Sequence, residues 1–430
     1  MLDLNLFRTG ENKDGKPPGL VRTSQLRRFA SVEVVDEVIA LDEEWRRLRF
    51  SLDKLQQELN ATAKKIGKLK VAGKEEDEEE AKKLVEGTNE IKKRQADMEA
   101  EEQKTKSALD AKLMAIGNIL HESLPVAADE ANNVLLRVFG DRRMEQKLMN
   151  HVDLCVALDI VDLKRGAKAG GGRGYYLKEE GELLNNALAY FGKAFLRRRG
   201  YKLIGTPHMM TKEAMGKCAQ LWSMTRSCTS SRARASTSPP RRSSLWRTTT
   251  RASSSVPTSC RSEAGSHGRD TAGIFRTHEF QKVEQFCITA PDGDASWEMH
   301  EEMIRNAEDF YAALGIAGRV VNVVSVDLNN SAAKKYDLEA WFPASGTYRE
   351  LTYGQRKDGE RCNRFVHTLN STLTATQRTL CCILETHQEE GGVRVPEVLR
   401  PYMSGIDFIP FKKPLDRHGG PARSKPKRSK

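Results

Sequence analysis

No stretch of the 430-residue sequence approaches eighteen consecutive apolar residues, and the opening "MLDLNLFRTGENKDGKPPG" has no apolar run of its own. The first absence excludes a membrane-spanning helix and the second argues against a secretory leader, so a cytoplasmic location without membrane partners is expected. The eight cysteines form no CxxC pair, which argues against a disulfide framework or a zinc site and makes them reduced core residues. The "GGGRG" run at 170–174 lacks the GxxxxGK[ST] pattern of a phosphate loop and reads as a flexible loop. Acidic residues are missing from 226–251, where seven arginines stand, and nearly missing from 412–430, where eight Lys or Arg face Asp416 alone. These two stretches supply the whole net charge of +11 and leave the remaining chain slightly acidic, so basicity by itself names no nucleic-acid partner. The basic tail admits two readings, a disordered solubilising extension or a segment for polyanion binding or nuclear import.

What is present divides the chain. A length of 430 residues with 38% hydrophobic residues implies two or three domains with a sizeable core. Leu41, Trp45, Leu48, Leu52, Leu55, Leu59, Thr62, Ile66 and Leu69 are spaced alternately by four and three, which is a coiled-coil seam. The turn text "VAGKEEDEEE" follows, and Leu84, Ile91, Met98, Leu109, Ile116 and Leu120 mark a second, less regular helix. Two such helices fold back as an antiparallel hairpin over about residues 33–122, and some 35 residues per helix give a rod of roughly 50 Å. The rod serves either as a dimerisation or spacer coil, or as an arm whose flanks lie along a long ligand. A nucleic-acid role would fall to local clusters such as Lys64, Lys65, Lys68 and Lys70.

From about residue 131 the periodicity changes. "LLNNALAYFGKAFLRRRG" puts Leu184, Leu188, Phe191 and Phe195 on one helical face and stops at Gly200. "YKLIGTP", "RVVNVVSVDL" and "YDLEAWFP" read as strands, and "WEMHEEMIRNAEDFYAALG" and "TQRTLCCILETHQ" as helices. Strands and helices without regular βαβ alternation predict an α+β domain around an antiparallel sheet. The expected organisation is an N-terminal arm over 1–130, a catalytic domain over 131–411 and a basic tail over 412–430.

The stretch "RSEAGSHGRDTAGIFRTHEF" sets Arg261 and Arg276 about a glycine-containing loop and places Phe280 four residues later. Guanidinium groups give bidentate contacts to phosphate, and a phenylalanine can stack on a base, which suits a nucleotide; the same residues pair harmlessly on many surfaces. Their order decides. The helix and strand ending at Pro207, this hairpin, and "LNSTLTATQRTLCCILE" with Arg378 resemble the three ordered motifs of class II aminoacyl-tRNA synthetases. With "HVDL", "GRGYYL", "VPEVLRPYM" and the helical hairpin in front, nearly the whole chain resembles the cytosolic-type seryl-tRNA synthetases. The resemblance implies an α+β fold in which an antiparallel coiled-coil hairpin precedes a class II catalytic domain, an antiparallel sheet flanked by helices. It further implies a homodimer, a serine–tRNA ligase that uses ATP and Mg2+ to activate L-serine as seryl-adenylate and then charges tRNA(Ser), held by the hairpin through shape and backbone. Arg261 and Glu263 would meet the α-phosphate and adenine, Phe280 would stack on adenine, and Arg378 would meet the outer phosphates, with Ser262, Thr277, His278 and Glu279 completing the ATP site. Arg261 and Arg378 would be the catalytic pair, Glu284, Asn370 and Thr372 would bind serine, and Glu350 would be the metal-side carboxylate. The alternatives are a non-catalytic coiled-coil tRNA-binding protein with a crippled synthetase domain, and a purely structural coiled coil.

The chain departs from the family in two places. "RSCTSSRARASTSPPRRSSLWRTTTRASSSVPTSC" stands where the family has a strand and its serine-recognising Thr-x-Glu. Codons for the family-like DDEELYK, read one base later, give the "MTRSCT" found at 224–229, so residues 222–260 read as a reading-frame slip restored near Arg261; a native disordered Arg/Ser insert is the other reading. After Glu350 and Leu351 about seventeen family residues are missing, by exon skipping or by real loss. The expectation is a sheet lacking parts of two strands, with poor stability.

Overall fold

The computed structural model describes residues 2–8, 19–72, 75–205, 250–258, 273–277, 280–291, 293–358 and 366–414. The chain divides into two compact units, Met1–Ile119 and Leu120–Lys430.

In the first unit a short helix α1 (Gly19–Arg27) precedes α2 (Glu33–Ala72) and α3 (Glu75–Ala115). At 1.5 Å per residue the 40 residues of α2 span about 60 Å, longer than the periodicity alone suggested. The partners show the antiparallel sense, because their numbers fall on α3 as they rise on α2: Glu37 with Lys112, Trp45 with Glu102, Gln56 with Gln95. All nine predicted seam residues of α2 are buried or partly buried.

Three details differ from expectation. The turn is shorter than "VAGKEEDEEE", since residues 75–80 already belong to α3, where acidic residue types suit a helix N-terminus. Helix α3 stops at Ala115, so Ile116 and Leu120 lie beyond it. Ile116 packs with Val35, Val38, Leu109 and Leu113, while Leu120 packs with Leu124, Val323 and Leu328 in the second unit. The helix stops where the Arg28 side chain crosses Gly117, at 2.5 Å from where a Cβ would stand, and where Arg28 Nη2 donates to the Asn118 carbonyl at 2.9 Å. Last, α3 has a regular seam of its own at 84, 88, 91, 95, 98, 102, 105 and 109, but Thr88, Gln95 and Glu102 share one heptad position and hide it. The Trp45 indole donates to Glu102 at 2.7 Å and Gln95 bonds Gln56 at 3.1 Å. Polar seam positions fix register and lower stability. Gln95→Leu should therefore stabilise the hairpin by about 1 kcal/mol in thermal circular dichroism while loosening its register in hydrogen exchange; an unchanged or lower melting point contradicts this.

The second unit contains, in chain order, β1 (Val134–Phe139), α4 (His151–Ala157), β2 (Val161–Asp162), α5 (Leu163–Gly170), β3 (Tyr176–Leu177), α6 (Glu180–Arg198), β4 (Lys202–Gly205), β5 (Thr250–Thr258) and β6 (Phe280–Thr289). There follow α7 (Ala295–Ala313), β7 (Gly318–Asn322), β8 (Ala332–Phe342), β9 (Thr347–Asp358), β10 (His367–Ala375), α8 (Thr376–Thr386), β11 (Gln388–Glu389), β12 (Gly392–Arg394) and β13 (Phe408–Pro410). Eight strands make one sheet in the order β1-β7-β8-β9-β10-β6-β5-β4, antiparallel except for the parallel pair β4–β5. One face carries Val283, Gln285, Cys287, Leu369 and Leu373 toward α6 and α7; Phe191 stacks on Phe310 at 5.2 Å between those helices. Cys155, Cys287, Cys381 and Cys382 are buried, and burial pushes the Cys155 thiol up to about 12, as suits an inert core residue.

The sheet corrects the expectation of lost strands. Residues 206–249 lie outside the described residues, but Thr250–Thr258 of the anomalous text pairs with β6 on one side, its N-terminal half also with β4. Beyond Leu351, β9 continues without a break and pairs with β8 and β10. Ladder pairing uses backbone groups that nearly every residue supplies, so side-chain text without alternation can still enter a sheet between two templates. At the junction, Glu339 faces Glu350 and Leu338 faces Thr352, so Leu351 is a one-residue bulge that keeps Glu350 and Tyr353 on one face.

Candidate active site

The face of the sheet away from α6 and α7 carries polar residues at its centre. Strand β6 presents Lys282 and Glu284 by period-2 alternation, and β10 presents Asn370 and Thr372 beside them. The buried Glu284 carboxylate accepts from Thr372 Oγ1 at 2.9 Å and from Asn370 Nδ2 at 3.0 Å, and pairs with Lys282 Nζ at 2.6 Å. Thr352 of β9 donates its hydroxyl to the Thr372 carbonyl, tying three strands together. The Tyr353 ring lies 5.3 Å from Lys282 Nζ and 5.6 Å from Lys335 Nζ. Burial opposes the Lys282 ammonium, yet Glu284, with Tyr353 and Glu350, holds its proton affinity above the usual lysine value.

Next to it on β8, Lys335 Nζ pairs with Asp337 Oδ2 at 2.8 Å, while Asp337 Oδ1 is buried with no hydrogen-bond partner among the described residues. Burial first, then the neighbouring Glu350 carboxylate, raises Asp337 to about 7, and Lys335 only partly offsets this. A second group of residues meets at the start of α8. Phe275, Thr277, Phe280, Gln377 and Arg378 line a narrow cleft, with the Arg378 guanidinium 5.3 Å from the Phe275 ring and its Nη1 donating to the Glu350 carbonyl at 3.1 Å.

Of the residues expected from sequence, the structure thus brings Glu284, Asn370 and Thr372 together in one cluster, and Thr277, Phe280 and Arg378 in one cleft, with Glu350 beside both. Arg261, Ser262, Glu263, His278 and Glu279 lie outside the described residues. Lys64, Lys65 and Lys68 are exposed on α2; the side chain of Lys70 is outside the described part. Sequence reasoning missed Lys282, Lys335, Asp337 and Tyr353. Lys282 had a signal, two residues before Glu284 in a strand, whereas the others depend on strand register. Among the described residues no three His, Cys, Asp or Glu side chains are grouped as a metal cage, and no helix is long and apolar enough to cross a membrane.

Comparison with known proteins places this geometry. Residues 1–120 match the seryl-tRNA synthetase N-terminal domain, and residues 254–387 match the tRNA synthetase class II core domain (G, H, P, S and T). A serine–tRNA ligase of Helianthus annuus is 48% identical over 450 residues, covering 97% of this chain and 100% of that protein. The cytoplasmic serine–tRNA ligase of Arabidopsis thaliana is 46% identical, covering 96% of this chain and 97% of its own length. The first alignment is longer than the 430 residues of this chain, so it includes positions with no counterpart here. Among solved structures, the cytoplasmic serine–tRNA ligase of Naegleria fowleri in complex with AMP superposes with a TM-score of 0.78 at 36% identity, covering 96% of this chain and 99% of that one. The seryl-tRNA synthetase of Pyrococcus horikoshii complexed with ATP gives the same TM-score at 32% identity, covering 96% and 100%. With both parts of the chain matched and relatives aligned along nearly its whole length, the chain belongs to the seryl-tRNA synthetase family of class II enzymes.

Proposed function

We propose that the chain is a serine–tRNA ligase that activates L-serine with ATP and transfers the seryl group to the 3′ end of tRNA(Ser). The buried Glu284 carboxylate, fixed by Lys282, Asn370 and Thr372, carries the reading: it is a hydrogen-bond acceptor held ready for a small polar substrate. A site that must satisfy a substrate's hydroxyl or ammonium rejects an isostere lacking it, because its own buried groups are then left unpaired.

In the first step the serine carboxylate oxygen attacks the α-phosphorus of ATP, the P–O bond to the β-phosphate breaks, and pyrophosphate leaves. In the second a terminal hydroxyl of the tRNA attacks the seryl carbonyl, its proton is lost, and AMP leaves. The substrate brings its own nucleophile, so the protein supplies placement and charge neutralisation. Arg378 would meet the outer phosphates from the start of α8, Phe280 would stack on adenine beside Thr277, and Arg261 with Ser262, Glu263, His278 and Glu279 would complete the site. Glu350, with Asp337 next to it, suits Mg2+: two mutually repelling carboxylates, one with an unpartnered buried oxygen, are the donor set that magnesium takes together with substrate phosphates. Bound there, the ion would neutralise phosphate charge.

The hairpin would hold the tRNA, with Lys64, Lys65, Lys68 and Lys70 on its flank, and the working form would be a cytoplasmic homodimer, as the names of relatives suggest for location. The expected domain limits at 130 and 411, with the tail from 412, are kept as part of this reading. A non-catalytic tRNA-binding role is not favoured, because relatives along the full length are ligases. Serine-dependent exchange of labelled pyrophosphate into ATP tests the proposal directly. Exchange with serine, little with alanine, and at least about a hundredfold loss in Arg378→Ala are expected; no exchange with any amino acid would refute it.

A further inference from the structure

Where α3 ends, residues 117–119 belong to no helix or strand, yet side chains hold their main-chain groups. Gly117 N donates to Gln25 Oε1 at 3.2 Å, and Ile119 N donates to Asn118 Oδ1 at 2.8 Å. Between them the Asn118 carbonyl accepts from Ser24 Oγ at 3.1 Å, from Arg28 Nε at 3.1 Å and from Arg28 Nη2 at 2.9 Å. Ser24, Gln25, Arg28 and Asn118 are all buried. Burial lowers Arg28 to about 10 from 12.5, so the fold gives up hydration of a cation at this point. The end of α1 is itself strained. Phe29 N donates to the Leu26 carbonyl and Ala30 N to the Gln25 carbonyl, each at 3.0 Å, a helix ending that calls for a left-handed residue, and Phe29 takes that place with φ 55°. Glycine is the ordinary occupant, and a phenylalanine persists there only where its surroundings over-determine the backbone. Gln25 ties both sides of the turn, donating from Nε2 to the Ser31 carbonyl at 3.3 Å while its Oε1 holds Gly117.

These three residues are the last of the first compact unit, and Leu120, the next, is already part of an apolar cluster with Leu124, Val323 and Leu328 in the second. No free linker therefore intervenes between the fastened tripeptide and the catalytic unit. A stiff joint matters when one part of a chain holds a long substrate and another part reacts with its end, because slack lowers the effective concentration of that end at the reacting groups. We infer that Arg28 is a positioning residue for tRNA charging: with Ser24 and Gln25 it clamps the exit of the arm, so that RNA held on the arm is presented to the active site over a narrow range of positions. The inference rests on the tRNA-ligase reading and gives the end of α1 a task apart from contact with serine, ATP or RNA.

The test compares the two half-reactions in the full chain. Arg28→Met keeps apolar volume and removes the guanidinium donors. It should leave serine-dependent pyrophosphate exchange within about twofold of the parent, because tRNA takes no part in that step, and lower kcat/KM for tRNA(Ser) in charging about tenfold. Hydrogen exchange at the Gly117 and Ile119 amides should rise about tenfold or more. Arg28→Lys, which keeps the charge, should recover part of the charging rate, and it carries the same comparison if Arg28→Met does not fold. Equal loss of exchange and charging would make Arg28 merely structural and overturn the inference. Charging that matches the parent below the melting temperature of both proteins would overturn it as well, and in that case the ligase reading stands. If the parent itself shows neither exchange nor charging, the ligase reading falls and this inference falls with it.

Discussion

Glu284→Gln should cut serine-dependent pyrophosphate exchange, lowering kcat/KM for serine at least about 30-fold, the equivalent of about 2 kcal/mol for a lost partner in a buried charged network. The reason is the number of groups that converge on this carboxylate: two neutral donors and one ammonium, all within 3.0 Å. Glu284→Ala should in addition destabilise the fold by about 3–5 kcal/mol, because it strands the Lys282 ammonium in a buried position. The double variant Glu284→Leu with Lys282→Met separates the two effects. It should recover much of the stability in urea denaturation and none of the activity, because an apolar pair of similar volume replaces the ion pair without restoring a serine acceptor. Additive losses of stability in the double variant would show that the two side chains are not coupled.

The second large effect is on pH dependence. Asp337 titrates near 7 in the folded protein against 3.8 for a free aspartate, because burial and Glu350 disfavour its charge. The folded state therefore holds more protons than the unfolded state between about pH 4 and 7, and stability falls as pH rises through that window and levels off above it. Asp337→Asn removes the titration. The stability difference between the two proteins should change by a few kcal/mol from pH 4 to pH 7, since each tenfold difference in proton affinity between the folded and unfolded states is worth about 1.4 kcal/mol. Curves that stay parallel across that window would mean that Asp337 is solvated in solution. Lys335, raised chiefly by Asp337 against the effect of burial, stays charged throughout.

How much of this was legible in the sequence depends on the range of the interaction. Leu41 to Leu69 announce α2 because a period of 3.5 residues is local and unbroken. The matching seam of α3 was obscured since Thr88, Gln95 and Glu102 do not look like core; Gln56 and Trp45 on the other helix account for Gln95 and Glu102, and the Thr88 hydroxyl donates to the Leu84 carbonyl of its own helix. Helix α6 was readable from Leu184, Leu188, Phe191 and Phe195, all buried as expected. Strand β5 was not readable, because its Ser- and Thr-rich text has no alternation and its position follows from β4 and β6. In the site, Glu284 and Asn370 meet from 86 residues apart, which no local pattern announces; the order of family motifs did. Asp337 and Tyr353 needed the β8–β9 register, including its irregularity, and that is a tertiary quantity.

The bulge at Leu351 has a consequence for how this chain tolerates change in length. A strand has odd and even residues, and a sheet with two different faces reads that parity as instruction. Leu351 is an uncounted beat: it is present in the chain and absent from the ladder, so the residues on either side keep the parity that sends Glu350 and Tyr353 to one face and Thr352 to the other. An edge or a loop can absorb a gain or loss of any size, but a central strand can absorb an odd one only by leaving a residue out of the ladder in this way. A strand that gains or loses an odd number of residues near this point can therefore keep each side chain on its own face, apolar groups toward the helices and polar groups toward Glu284.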